Sequence, residues 1–166
     1  MVSCKSKFIS RLIMNKRLEQ QLFKSIVENT PLISIDLIIR NGEGMALLGQ
    51  RQNRPAQNFW FVPGGRIYKD ESFEKAFKRI TLDELGVDIP IKKALFMGIF
   101  EHFYDDNFSG EDFTTHYVVH GYEIHLQNEK LTFPTKQHSA YQWFDVETLL
   151  TNTLVHQYTK NYFLSR

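Results

Sequence analysis

A chain of 166 residues, 42% hydrophobic, 14% aromatic and 23% charged, has the length of one domain with a full-sized core and the composition of a globular protein. A formal net charge of +1 gives no global field for nucleic acid or an anionic membrane, and no segment reaches the length of an apolar membrane span. Cys4 is the sole cysteine, which excludes an internal disulfide and a cysteine zinc site and suits a reducing, cytoplasmic setting.

The opening stretch MVSCKSKFISRLIM mixes Lys5, Lys7 and Arg11 with apolar residues and lacks the uninterrupted apolar run of a signal peptide. Residues 1–15 read as an N-terminal extension, with residues 1–13 dispensable if translation starts at Met14, and 16–166 read as a single domain. From Lys16 to Glu28, Leu18, Leu22, Phe23 and Ile26 recur at helical spacing; Thr30-Pro31 stops the helix, because a residue before proline is pushed out of the helical region. Leu32 to Arg40, LISIDLIIR, is rich in β-branched residues. With the turn Asn41-Gly42-Glu43-Gly44 and a strand from Met45 to Gly49 it makes a hairpin.

A loop, RQNRPAQN (51–58), leads to a short apolar strand, Phe59 to Val62, and to the Pro63-Gly64-Gly65 break. The second helix runs from an N-cap at Asp70 to a C-cap at Gly86. Two long strands, Ile91 to Phe103 and Phe113 to Ile124, flank the polar loop YDDNFSGED; a short strand from Tyr141 to Phe144 and helical turns follow. This order predicts an α+β fold, a mixed sheet between helices.

On the second helix Phe73, Ala76, Phe77 and Ile80 form one apolar stripe, and Glu84 falls about 20° from Phe73 around the axis, inside that stripe. A carboxylate facing the core in the last turn is disfavoured by burial and by the helix dipole. Either a cation relieves both, or Glu84 reaches round to Arg79 or a lysine at the helix end. Glu71 needs no function, since an acid in the first turn answers the dipole.

The stretch GRIYKDESFEKAFKRITLDELGV (65–87) resembles the Nudix box, GxxxxxE, seven residues, then REUxEExGU with U aliphatic. Gly65, Glu71, Arg79 and Glu84-Leu85-Gly86-Val87 match. Ile80 replaces the first glutamate after the arginine, Asp83 replaces the next, and Thr81 takes an aliphatic slot. Residues 80, 83 and 84 share a side of the helix, so the carboxylate cluster that supports several divalent ions and a metal-bound nucleophile is depleted. One good carboxylate suits a single ion. The segments NRPAQNFWFVPGGR (53–66), KDE (69–71) and HFYDDNFSGEDFTTHYVV (102–119) are similar to the GDP-mannose mannosyl hydrolases, a Nudix branch with this same altered box, and the similarity runs from Thr30-Pro31 to the C-terminal helix.

That resemblance implies a Nudix fold, a homodimer, and hydrolysis of GDP-mannose, with GDP-glucose as a second substrate, to GDP and the free sugar. It also implies that water attacks the anomeric carbon with inversion. It implies one Mg²⁺ per subunit, held by the Gly64 carbonyl, Glu84 and Gln137 in an oxygen shell. Arg51 and Arg66 would grip the diphosphate, with Tyr117 adding a hydroxyl donor. His138 matches the general base, Asp36 and His102 match positions that contact the sugar, and Phe23 is the candidate for stacking on guanine.

Pattern alone reads several of these residues otherwise. Arg51 and Arg66 would be surface charge, Tyr117 a core residue of its strand, Asp36 a polar residue on the outward pleat, and His138 a polar loop residue. His116 and His120 share a strand face without a metal-ligand spacing. Two other functions stay open: a conventional Nudix pyrophosphatase attacking phosphorus, and a nucleotide-sugar binding module without catalysis.

Overall fold

The computed structural model describes residues 18–126, 129–133 and 138–164, with His138 described in its backbone only. The N-terminal extension expected at 1–15 lies outside the described residues. Helix α1 (Gln20–Asn29) starts four residues later than the Lys16 of the sequence reading, capped by the Glu19 carboxylate, which accepts from Gln21 N and Leu22 N. Strand β1 (Leu32–Arg40) has the expected limits. Its turn is closed by Asn41, whose Oδ1 accepts from Glu43 N and Met45 N at 3.0 and 2.9 Å, and β2 (Ala46–Arg51) follows.

The expected hairpin survives only at its tip, where Arg40 faces Ala46. Beyond that point the strands part. The space between them takes β4 (Gly64–Arg66), which pairs antiparallel with Ser34, Ile35 and Asp36, while β2 turns to β3 (Trp60–Phe61) and to β7 (His138–Phe144). On its other side β1 runs parallel to β6 (Thr115–His125) along its whole length, and β5 (Leu95–Tyr104) closes that edge. A 3₁₀ turn at Ile91–Lys93 occupies the start of the strand expected from Ile91 to Phe103, because Pro90 at its N-cap withholds the N–H a ladder needs. Among the described residues the result is one mixed seven-stranded sheet with helices on both faces, and no helix there is long and apolar enough to cross a membrane.

Alternation along β1 assigns its side chains to two cores. Ile35, Leu37 and Ile39 pack with Ala76, Phe77, Ile80 and Leu85 of α2 (Phe73–Leu85). Ile38 faces the other way, onto a cluster with Leu48, Phe61, Tyr104, Leu149, Val155 and Tyr162, under the short helices α3 (Val146–Thr151) and α4 (Gln157–Asn161). Burial on both faces explains why LISIDLIIR is apolar almost throughout. Phe73 departs from the expected stripe: it is exposed and leans on His120 at 4.8 Å, one turn short of the buried row.

The N-cap of α2 is Ser72 and not Asp70. Asp70 takes φ 64° in the turn before the helix, which lets Glu71 fold back so that its Oε2 accepts from Tyr68 N at 3.0 Å. Glu71 is thus outside the helix, and the dipole does not explain it. At the far end Gly86 caps the helix with φ 69°, where a side chain would collide with Thr132.

Candidate functional site

The Gly64–Arg66 strand brings the altered box to the middle of the sheet. Arg79 reaches back from α2 and grips Glu71 with two bonds, Nε to Oε1 and Nη2 to Oε2, each 2.8 Å, and Nη2 also donates to the Arg66 carbonyl at 2.8 Å. Its guanidinium lies 4.0 Å from the Tyr68 ring centroid. The box arginine therefore serves as a clamp that ties the helix to the strand carrying Gly64, Gly65 and Arg66. With Arg79 engaged by Glu71, and by Asp83 at 3.6 Å, it is not the partner that the sequence reading offered Glu84.

The three positions thought to share a helix side separate in space. Ile80 is buried against Gly65, where an added Cβ would lie 3.1 Å from Ile80 Cγ1. Asp83 is 56% exposed in its side chain and turned to Arg79. Glu84 is 2% exposed. The helix thus delivers one buried carboxylate, and its field reaches Asp36, on the β1 strand opposite Gly64.

Asp36 is 8% exposed, so the outward-pleat reading fails. Alternation puts it on the Ile38 side of the sheet, where Tyr162 donates to its Oδ2 at 2.8 Å. A Cβ at Gly64 would lie 2.6 Å from Asp36 Oδ1 and 2.7 Å from the Ile35 carbonyl, so only glycine fits that contact. Burial, countered by the Tyr162 bond and Arg51 and aided by Glu84, raises Asp36 to about 7. His102 lies beside it, stacked on Tyr158 at 4.2 Å and 6°. Burial, then the neighbouring His156 and Arg51, push it down to about 3.

Arg51, at the end of β2, is the cation common to these groups, acting on Asp36, His102, His156, Tyr104 and Tyr117. It lies 5.5 Å from the Phe61 ring. Arg66 stacks on Phe23 of α1 at 4.5 Å and approaches Tyr68 at 5.3 Å, so neither arginine is simple surface charge. Tyr117 is paired across strands with His102 and Leu32. With Phe23, Arg51, Arg54, Phe108 and Thr115 it lines a cavity of about 50 Å³. Phe23 and Phe108 meet at its edge, 4.9 Å between ring centroids.

His138 opens strand β7 and does not sit in a loop; its backbone stands opposite Arg51. Its ring and all of Gln137 lie outside the described residues. His116 and His120 are packed among Phe103, Phe73 and Phe96, and among the described residues no group of three or more His, Cys, Asp or Glu is arranged to hold a metal.

Sequence reasoning missed Tyr158 of the last helix and its two caps, His156 and Tyr162. Their only signal was the four-residue spacing of the two tyrosines, which puts both on one face.

The buried Glu84 carboxylate, an oxygen donor, fits a hard cation in kind rather than a softer one that prefers sulfur or imidazole.

The model of the NUDIX domain family matches residues 30–164, and the chain belongs to this family of hydrolases. It is 43% identical over 130 residues to the low-salt glycan biosynthesis protein Agl8 of Haloferax volcanii, spanning 78% of this chain and 80% of that protein. Similar solved structures include the MutT protein from Methanosarcina mazei Go1, with TM-score 0.64, 20% identity and coverage of 81% of this chain and 92% of that one. The MutT NUDIX hydrolase from Burkholderia pseudomallei gives 0.65 and 21%, with coverage of 81% and 96%. At these identities the two structures show the fold.

Proposed function

We propose that this Nudix hydrolase cleaves GDP-mannose, with GDP-glucose as a second substrate, between the anomeric carbon and the diphosphate oxygen. The observation that carries the reading is the state of the box helix. Glu84 alone is buried toward the site, Ile80 is packed on Gly65, and Asp83 is turned out to Arg79. A helix with one inward carboxylate cannot assemble the cluster that prepares a metal-bound hydroxide for attack on phosphorus. The name of the Haloferax relative puts that protein in glycan biosynthesis, which agrees with a sugar nucleotide as substrate.

Glu84, the Gly64 carbonyl and Gln137 would hold Mg²⁺, which when bound neutralises charge on the departing diphosphate. Arg51 and Arg66 clamp the diphosphate oxygens, and Tyr117 donates its hydroxyl to them. Asp36 and His102 hold the sugar, and Phe23 stacks on guanine. A ring nitrogen of His138 accepts the proton of the attacking water. The water oxygen bonds to the anomeric carbon as the bond from that carbon to the β-phosphate oxygen breaks, so GDP leaves with the bonding pair and the sugar emerges inverted. A homodimer in the cytoplasm, with residues 16–166 as its single domain, belongs to the same proposal.

Product analysis tests it. GDP-mannose and magnesium should give GDP and free mannose; GMP with mannose 1-phosphate would show attack at phosphorus, and absence of turnover would leave a binding module.

A further inference from the structure

The last helix closes the polar end of the site with Tyr162, a residue to which the family resemblance gave no part. The hydroxyl stands 2.8 Å from Asp36 Oδ2 and 3.4 Å from His102 Nε2. Tyr162 is buried, and its ring is held from the side by Phe100, edge-on at 4.5 Å. Gly121 makes room for both rings: a Cβ there would lie 2.8 Å from Phe100 Cε2 and 3.2 Å from Tyr162 Cε1. One helical turn earlier, Tyr158 stacks on His102 and anchors itself to β5, its hydroxyl accepting from Phe103 N at 2.8 Å and donating to Phe103 O at 2.6 Å. Two tyrosines of α4 and its C-cap therefore fix an aspartate of β1 and a histidine of β5.

A phenol has one proton to donate. Given to the Asp36 carboxylate, the stronger acceptor, that proton leaves only lone pairs facing His102. The buried imidazole is neutral, so the nitrogen 3.4 Å away completes the contact only as an N–H donor.

We propose that Tyr162 is a positioning residue for the sugar end of the site: it holds Asp36 through Oδ2, leaving Oδ1 as an acceptor, and sets His102 as the Nε2–H tautomer with Nδ1 as an acceptor. Two acceptors so arranged suit two hydroxyls of a hexose. This deepens the function proposed above and rests on it for the identity of the ligand.

The test uses the full chain labelled with nitrogen-15 at histidine, its His102 resonances assigned by comparison with His102→Gln. The long-range proton–nitrogen spectrum should show His102 as Nε2–H alone. In Tyr162→Phe the second tautomer should appear, and kcat on GDP-mannose should fall about tenfold or more with KM changed less than about threefold. An Nδ1–H tautomer in the wild-type chain, or a Tyr162→Phe variant with unchanged tautomer and kcat, overturns the proposal. The wild-type spectrum decides the tautomer even if the variant does not fold. A wild-type chain that does not turn over GDP-mannose overturns the assignment to the sugar, and its spectrum separates that failure from a failure of the tautomer.

Discussion

Arg79→Ala should destabilise the fold at the box. It removes two charge-assisted bonds to Glu71 and one to the Arg66 carbonyl, all at 2.8 Å. The Glu71 side chain is only 7% exposed, so its carboxylate would be stranded where water hardly reaches. Breaking a buried pair in this way costs about 3–5 kcal/mol, against about 0–1 kcal/mol for a surface pair. The arginine is itself 25% exposed, which puts the expected loss near the lower end, about 3 kcal/mol. In a domain of this length such a loss lowers Tm by about 6–12 °C. Urea unfolding of the wild type, Arg79→Ala, Glu71→Gln and the double variant measures it. The double variant should be more stable than the sum of the singles predicts, by about 2 kcal/mol, because removing the second charge relieves the first. A loss below about 1 kcal/mol, or strict additivity, would refute the clamp.

Glu84→Gln should abolish most of the Tm rise that magnesium produces in the wild-type chain, since a ligand that binds only the folded state stabilises it in proportion to its affinity; an undiminished rise would remove Glu84 from the metal shell. His138→Gln should lower kcat by about 10²–10⁴-fold while GDP affinity, read by calorimetry, stays near the wild-type value. Near-normal turnover would dismiss it as the base. In EDTA, stability should fall as the pH drops from about 6.5 to 4. Over that range the unfolded chain takes up protons at His102 and His156, which burial pushes down to about 3 and about 4 in the folded state. Asp36, raised by burial to about 7, opposes this because the folded state keeps a proton that the unfolded carboxyl loses above 3.8. Two groups against one leave a net loss on acidification, and Asp36→Asn should steepen it; a flat profile in both proteins would contradict the burial of these groups.

The strands and the box helix were legible because their signals are local: β-branched runs, Thr30-Pro31, and Gly86 at a left-handed cap. The start of the helix was misplaced because Asp70 and Ser72 are both good caps by type, and only the fold-back of Glu71 onto Arg79 decides between them. The hairpin was overextended for a related reason. Nothing in LISIDLIIR or in the strand after it tells that Gly64–Arg66 will enter between them. The candidate residues follow from the family motif by position alone; the structure sets Asp36 opposite Gly64 and His102 opposite Tyr117, with Arg51 and Glu84 acting on Asp36. Tyr162 was invisible for a physical reason: its partner Asp36 is 126 residues away in the chain, and no periodicity reports a contact of that range.

Where the solvent oxygen goes discriminates most directly between attack on carbon and attack on phosphorus. Turnover of GDP-mannose in heavy-oxygen water, followed by mass spectrometry of both products, should place the label in mannose and leave GDP unlabelled. Label in a phosphate of the nucleotide or of a sugar phosphate would mean that the lone inward carboxylate of the box helix, Glu84, had been misread.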